Sequence, residues 1–185
     1  MKRTKMYNPG YFKIDKKKIK DIIELLNLDK DDIKSLKRNL KMTKDTLKLG
    51  DMQLSKIISV NPFLIASYSD EFDGVLIYEY PSELVFKYNL KINQLLVSSN
   101  SYWPKDAFDI EEDIIPGKDC SYEWRDVISF IPLFLCLEKQ EVNCQICVEQ
   151  LYDENLLKRI DSQIEEYLLK KPNQIRKGFK TLIKY

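Results

Sequence analysis

Two cysteines, Cys144 and Cys147, form a Cys-Gln-Ile-Cys sequence, a spacing that redox-active and zinc-binding proteins use. A thioredoxin-like motif needs this pair at the start of a helix that follows a strand. A zinc site made only of cysteines usually needs a second such pair, which Cys120 and Cys136 do not form. Cysteine is otherwise a small and frequently buried side chain. The pattern therefore favours buried thiols, with redox and zinc chemistry as the alternatives.

Three clustered carboxylates, Asp70, Glu71 and Asp73, could hold Mg²⁺ or Ca²⁺, which prefer oxygen ligands. A metal-dependent phosphodiesterase or nuclease built in this way would need no histidine. However, no second carboxylate group with a positioned lysine follows at a familiar spacing. Asp73 and Gly74 also form a hairpin-turn signal, so a turn and an acidic protein-binding patch are the other interpretations.

The segment 100–123 is acidic and is interrupted by Pro116 and Gly117. Loops of this length are uncommon unless they are functional or mobile. Its frame lacks the glycine and terminal glutamate of a calcium-binding loop. Acidic surfaces steer association with basic partners, and aromatic residues beside charge are typical interface anchors. The loop carboxylates are Asp109, Glu111, Glu112 and Asp113, and the aromatic residues that flank the loop are Tyr102, Trp103, Tyr122 and Trp124. The sequence therefore predicts either a docking surface or a solvated loop whose flanking aromatics belong to the core.

The chain contains no histidine, which removes the usual general base near neutral pH and the commonest metal ligand. Ser-His-Asp and Cys-His catalysis are excluded, together with histidine-containing zinc sites. The phosphate-binding GxxxxGK[ST] and GxGxxG motifs and the GxSxG nucleophile motif are also missing from the sequence. We therefore favour a protein without catalysis, cofactor or bound metal, and the first alternative is a metal-dependent phosphodiesterase or nuclease that uses Asp70, Glu71 and Asp73.

The 185 residues carry a formal net charge of +1, which conceals an uneven distribution. The first 20 residues hold eight basic groups and one acid, and residues 170–185 hold six basic groups and no acid. The remaining 16 basic and 28 acidic groups give the body a net charge of −12. An acidic body repels nucleic acid. Association with nucleic acid through the basic ends, which include Lys16–Lys18 and Arg176, is therefore the second alternative and not the leading one.

The pattern of apolar and polar residues predicts the elements that position these side chains. They form one α+β domain over 1–185, with N-terminal helices, a mostly antiparallel sheet, and C-terminal helices packed on one face. Residues 1–13 are predicted as an arm and 172–185 as a basic amphipathic segment. Helices are predicted to begin at Asp15, Asp29 and Asp153, with a separate turn over 43–49 that ends at Gly50. Strands are predicted within 54–68, 73–80, 84–90 and 93–99.

The sequence contains no membrane-spanning apolar run and no visible secretory signal. These features predict a cytoplasmic protein with reduced cysteines and no membrane partner. The leading functional hypothesis is an inhibitor or immunity-type protein that presents an acidic surface to a basic effector such as a nuclease toxin. Its candidate binding residues are Asp70, Glu71, Asp73, Trp103, Asp109, Glu111, Glu112 and Asp113.

Overall fold

The computed structural model describes residues 12–105 and 109–184, so most of the predicted N-terminal arm lies outside the described residues. The helices are α1 (Lys16–Leu25), α2 (Lys30–Leu49), α3 (Glu83–Lys87), α4 (Glu141–Leu151), α5 (Glu154–Lys170) and α6 (Thr181–Lys184). The strands are β1 (Asp51–Val60), β2 (Phe63–Ser69), β3 (Gly74–Tyr80), β4 (Leu95–Pro104), β5 (Trp124–Phe130) and β6 (Arg176–Lys177).

The predicted helix starts are confirmed by their caps. The side chains of Asp15, Asp29 and Asp153 each accept hydrogen bonds from backbone N–H groups of the first helical turn. The separate turn predicted over 43–49 is wrong, because these residues continue α2. Thr43, Thr46 and Leu47 are buried on one face of that helix, so packing against the core extends the helix up to Gly50.

Six strands form one sheet in the order β5-β4-β1-β2-β3-β6. All neighbouring pairs are antiparallel except β3 and β6, which pair in parallel. The predicted Asp73-Gly74 turn joins β2 to β3, and Asp73 has a φ of 46°, a left-handed value that aspartate tolerates better than most residues. Two of the five neighbouring pairs, β1–β2 and β2–β3, are therefore local hairpins, and the other three join strands that lie farther apart in the chain.

Two sequence-based predictions need correction, one of the type of an element and one of where a loop begins. The strand predicted over 84–90 is the short helix α3, in which Leu84 is buried while Phe86 and Lys87 are exposed. Val, Phe and Tyr give this stretch a strand-like composition, but only part of it reaches the core. The predicted loop over 100–123 begins at residue 105, because β4 continues to Pro104 by pairing with β5.

The sheet separates two clusters of buried apolar side chains. The larger cluster includes Phe63, Ile65 and Leu76, and the smaller one includes Leu64 and Ala66, as the alternation along a strand requires. Helix α5 packs its apolar face in the smaller cluster, whereas α4 and α6 contribute to the larger one. The α+β class is confirmed, and the C-terminal helices contact both clusters. No helix among the described residues has the length and hydrophobicity needed to span a bilayer.

Candidate functional site

The acidic connection after β4, residues 109–123, forms a strap that contacts several elements. The Glu111 backbone N–H donates to the Arg125 carbonyl on β5, at 3.0 Å. Further along, the Gly117 N–H donates to the Phe72 carbonyl at 2.9 Å, and the Ser121 N–H donates to the Glu71 carbonyl at 2.8 Å. The strap therefore runs from β5 to the β2–β3 turn and back, and backbone hydrogen bonds hold it at both places.

Arg176 connects the strap to β5 and β6, the two edge strands of the sheet. It lies on β6, and its Nη1 donates to the Val127 carbonyl on β5 at 2.7 Å. Its Nε and Nη2 donate to the two carboxylate oxygens of Asp113 at 2.5 and 2.7 Å. Nη2 also donates to Asp126, which is 8% exposed, at 2.8 Å. One guanidinium thus joins β6, β5 and the strap through charge-assisted hydrogen bonds.

Asp73 is buried beneath the strap and is only 3% exposed. Its Oδ1 accepts from the Tyr68 hydroxyl at 3.1 Å and from Arg159 at 2.9 Å, and its Oδ2 accepts from the Asp119 N–H at 3.0 Å. Burial by itself would raise the pKa of this carboxyl, but the Asp119 N–H, Arg159 and Tyr68 together lower it. Asp73 is therefore an ionised internal anchor and does not lie on the binding surface for which the sequence nominated it.

The other predicted carboxylates differ in how much of each reaches solvent. Asp113 is held by Arg176, and Glu111 accepts from Arg125 Nε at 2.8 Å. Asp70, Asp109 and Glu112 are exposed, while Glu71 is half-buried. Within the described ranges, no three Asp, Glu or Cys side chains stand in an arrangement that could hold a metal ion. The arginine pairs show that part of the acidic sequence serves internal bonding.

The aromatic residues around the strap divide between the core and the surface. The rings of Tyr102 and Trp124 pack with their centroids 5.4 Å apart. By contrast, Trp103 is 43% exposed and Tyr122 is 57% exposed. Tyr122 also has a φ of 57°, which is uncommon for a bulky side chain. Tyr102 and Trp124 therefore fit the interpretation as core residues, and Trp103 and Tyr122 fit the interpretation as surface residues.

A groove of about 1090 Å³ opens beside Trp103, between β5 and the C-terminal segment. Glu111 and Glu112 line it on the strap, and Lys177 and Lys180 line it on the C-terminal segment. Carboxylates and ammonium groups thus face the same space, so this groove is not uniformly acidic.

Both cysteines of the Cys-Gln-Ile-Cys sequence lie inside α4, past its first residues, and are buried. All four cysteines are free thiols, and only Cys120 is partly exposed. Burial raises the pKa of the Cys147 thiol to about 11, which leaves it protonated at neutral pH. The geometry fits the buried-thiol interpretation and differs from the helix-start placement of a thioredoxin-like pair.

The basic C-terminal segment is largely used in internal contacts. Arg176 is held as described, Lys177 forms an ion pair with Glu79, and the backbone of residues 176–177 pairs with β3. In the N-terminal part, Lys18 is buried and donates to Glu141 at 2.6 Å. Of the basic residues nominated for nucleic acid, Lys16, Lys17, Lys177 and Lys180 are exposed, and those before residue 12 lie outside the described residues.

The sequence reasoning missed the arginines as internal partners. The chain has only five arginines among 30 basic residues, and three of them, Arg125, Arg159 and Arg176, bind carboxylates of the strap or the β2–β3 turn. Arginine in a lysine-rich chain was the available signal, because its planar fork suits bidentate carboxylate contacts. Comparison with protein-family models, curated proteins and solved structures found no match.

Proposed function

We propose that this chain is a non-enzymatic protein-binding protein of the inhibitor or immunity type, which presents an acidic surface to a basic effector. The observation that carries the proposal is the exposure of two large aromatic side chains, Trp103 and Tyr122, on segments whose neighbouring residues hydrogen-bond to the acidic β2–β3 turn. We call this the acidic–aromatic surface, and its members are Asp70, Glu71, Trp103, Tyr122 and Glu123.

Hydrogen bonds hold the segments of the acidic–aromatic surface together. The Tyr102 hydroxyl donates to Asp70 Oδ1 at 3.1 Å, which fixes the β2–β3 turn beside the strand that carries Trp103. The Lys105 N–H donates to the Glu123 carbonyl at 3.1 Å, so the segments that follow Trp103 and Tyr122 are adjacent. A surface held in this way loses little conformational freedom when it binds, which supports a docking role.

Ion pairs between carboxylates and arginines hold the strap, which carries part of this surface. Asp73 and Asp113 fix the strap through Arg159 and Arg176, while Asp109 and Glu112 add exposed negative charge along it. Tryptophan and tyrosine are enriched among residues that dominate binding energy. Surrounding carboxylates would accelerate association with a basic partner and make it sensitive to salt. The free thiols support a cytoplasmic setting.

The test is affinity capture from the native cytoplasm at low salt with the full chain as bait. One variant carries Asp70→Asn, Glu71→Gln and Glu123→Gln, and a second carries Trp103→Ala with Tyr122→Ala. The matched control neutralises three exposed acids elsewhere, Asp45, Glu138 and Glu165.

A stoichiometric basic protein is expected to bind the wild type and the control. Loss of one dominant aromatic contact, about 2 kcal/mol, corresponds to roughly 30-fold weaker binding. Raising the salt concentration should weaken the complex further. The proposal fails if no stoichiometric protein is recovered, or if both surface variants capture the partner as well as the control does.

A further inference from the structure

The segment 83–94, which comprises α3 and its connection to β4, exposes two large apolar side chains. Phe86 is 86% exposed, the largest exposed fraction of any bulky apolar side chain in the described part of the chain, and Ile92 is 54% exposed. Leu84 and Leu90 from the same segment are buried, which anchors its backbone to the core. These buried residues hold the backbone of the segment in place, so the segment forms a projection on which Phe86 and Ile92 are exposed to solvent.

Lysines surround this projection. Lys87 and Lys91 belong to the projection and are exposed, and Lys17 and Lys20 lie on the exposed face of α1. Lys87 Nζ contacts Asp21 on α1 at 2.6 Å, so α1 and α3 share one surface.

The pKa of Asp21 reports on the same arrangement. It is lowered first by the hydrogen bond from Lys87 and then by the charges of Lys87, Lys17 and Lys20. The acids of this surface are Asp21 and Glu24, which pair with Lys87 and Lys20, and Glu83 at the start of α3.

We propose that this surface binds peripherally to an anionic lipid bilayer, with Phe86 and Ile92 entering the headgroup region and the lysines contacting lipid charge. We call it the lysine–apolar surface, and its members are Lys17, Lys20, Phe86, Lys87, Lys91 and Ile92. Interfacial binding of this kind requires apolar side chains and basic residues on one face and needs no membrane-spanning helix.

The shape and chemistry favour a bilayer over the other anionic partners. Phe86 and Ile92 are exposed on one short segment together with Lys87 and Lys91, which gives this surface both an apolar and a basic component. Single-stranded nucleic acid is held by aromatic stacking, to which an aliphatic side chain such as Ile92 cannot contribute. A bilayer accepts both side chains at once, and anionic headgroups complement the excess of lysines over acids on this surface, where, among the described residues, only Lys20 and Lys87 form ion pairs, with Glu24 and Asp21.

The experiment is co-sedimentation of the full chain with two kinds of vesicle, phosphatidylcholine alone and phosphatidylcholine mixed with phosphatidylglycerol. One variant is Phe86→Ser with Ile92→Ser, and another is Lys87→Gln with Lys91→Gln. The matched controls are Leu169→Ser, which removes an apolar side chain that is 81% exposed elsewhere, and Lys37→Gln with Lys44→Gln on α2.

Binding is expected to the anionic vesicles only, and to fall at least tenfold in both surface variants while the controls bind normally. A Phe86→Trp variant should shift its emission to shorter wavelength when anionic vesicles are added, because the ring leaves water. The proposal is overturned if anionic vesicles do not bind the wild type, or if Phe86→Ser with Ile92→Ser binds undiminished. Binding of a single-stranded oligonucleotide, without vesicle binding, would also overturn it.

Discussion

Replacing Arg176 with methionine is expected to remove about 3–5 kcal/mol from the free energy of unfolding, the usual cost of deleting one partner of a buried ion pair. The side chain of Arg176 is 14% exposed, and those of Asp113 and Asp126 are 22% and 11% exposed. Methionine matches much of the volume but leaves two carboxylates without their guanidinium. It also leaves the Val127 carbonyl without its donor.

The expected loss of stability is large because Arg176 and its two carboxylates are largely buried. The next residue, Lys177, provides the matched control. Lys177 also forms an ion pair, with Glu79, but its side chain is 60% exposed. Exposed pairs contribute roughly 0–1 kcal/mol, so Lys177→Met should change stability by no more than that. Domains of this kind have unfolding free energies of about 5–15 kcal/mol, so the Arg176 variant could lose most of its stability.

Urea unfolding followed by circular dichroism measures both variants against the wild type. If Arg176→Met is too unstable to give a native baseline, Arg176→Lys provides the intermediate case, because it keeps the charge and loses the bidentate geometry. A further variant, Arg176→Met with Asp113→Asn and Asp126→Asn, should recover part of the loss by removing the uncompensated charges. The reasoning is refuted if Arg176→Met and Lys177→Met cost the same small amount.

Three other predictions concern the strap and the thiols. Because the pKa of Asp73 is lowered in the folded state, its ionised form stabilises the fold above its unfolded pKa, and this stabilisation is lost as pH falls through the folded pKa. Asp73→Asn should therefore cost about 1–3 kcal/mol at pH 7 and less near roughly pH 2 in urea titrations, while exposed Asp70→Asn should change little at either pH. Gly117→Ala should cost about 1–3 kcal/mol, because its added Cβ would overlap Asp73; an unchanged melting temperature relative to Lys118→Ala would contradict this. In a thiol titration of the native protein, partly exposed Cys120 should react first and the three buried cysteines only on unfolding, and rapid reaction of more than one thiol would contradict the buried-thiol interpretation.

The features that the sequence predicted correctly depend on neighbours within a few residues. Asp15 and Asp153 cap helices because a side-chain oxygen reaches N–H groups two or three residues away. Asp73 and Gly74 turn the chain for a similarly local reason. The strand prediction over 84–90 failed because its composition fits a strand, while burial of Leu84 and exposure of Phe86 follow from distant packing.

The candidate site was only partly predictable for the same reason. Trp103 and Asp70 are exposed as the docking hypothesis requires. The sequence could not show that Asp113 would meet Arg176, 63 residues away, or that Asp73 would meet Arg159, 86 residues away. Separations of this size depend on how the sheet brings its ends together, which no local pattern specifies.

By itself the sequence determined which chemistry the chain lacks, since a chain without histidine cannot use an imidazole base or ligand. It also determined most helix starts and the hairpin turn, because these arise from short-range hydrogen bonds. Only the tertiary structure decided which carboxylates are internal anchors and which face solvent. The physical reason is that a carboxylate's role is set by the cation placed beside it, and Arg159 and Arg176 reach Asp73 and Asp113 only after folding.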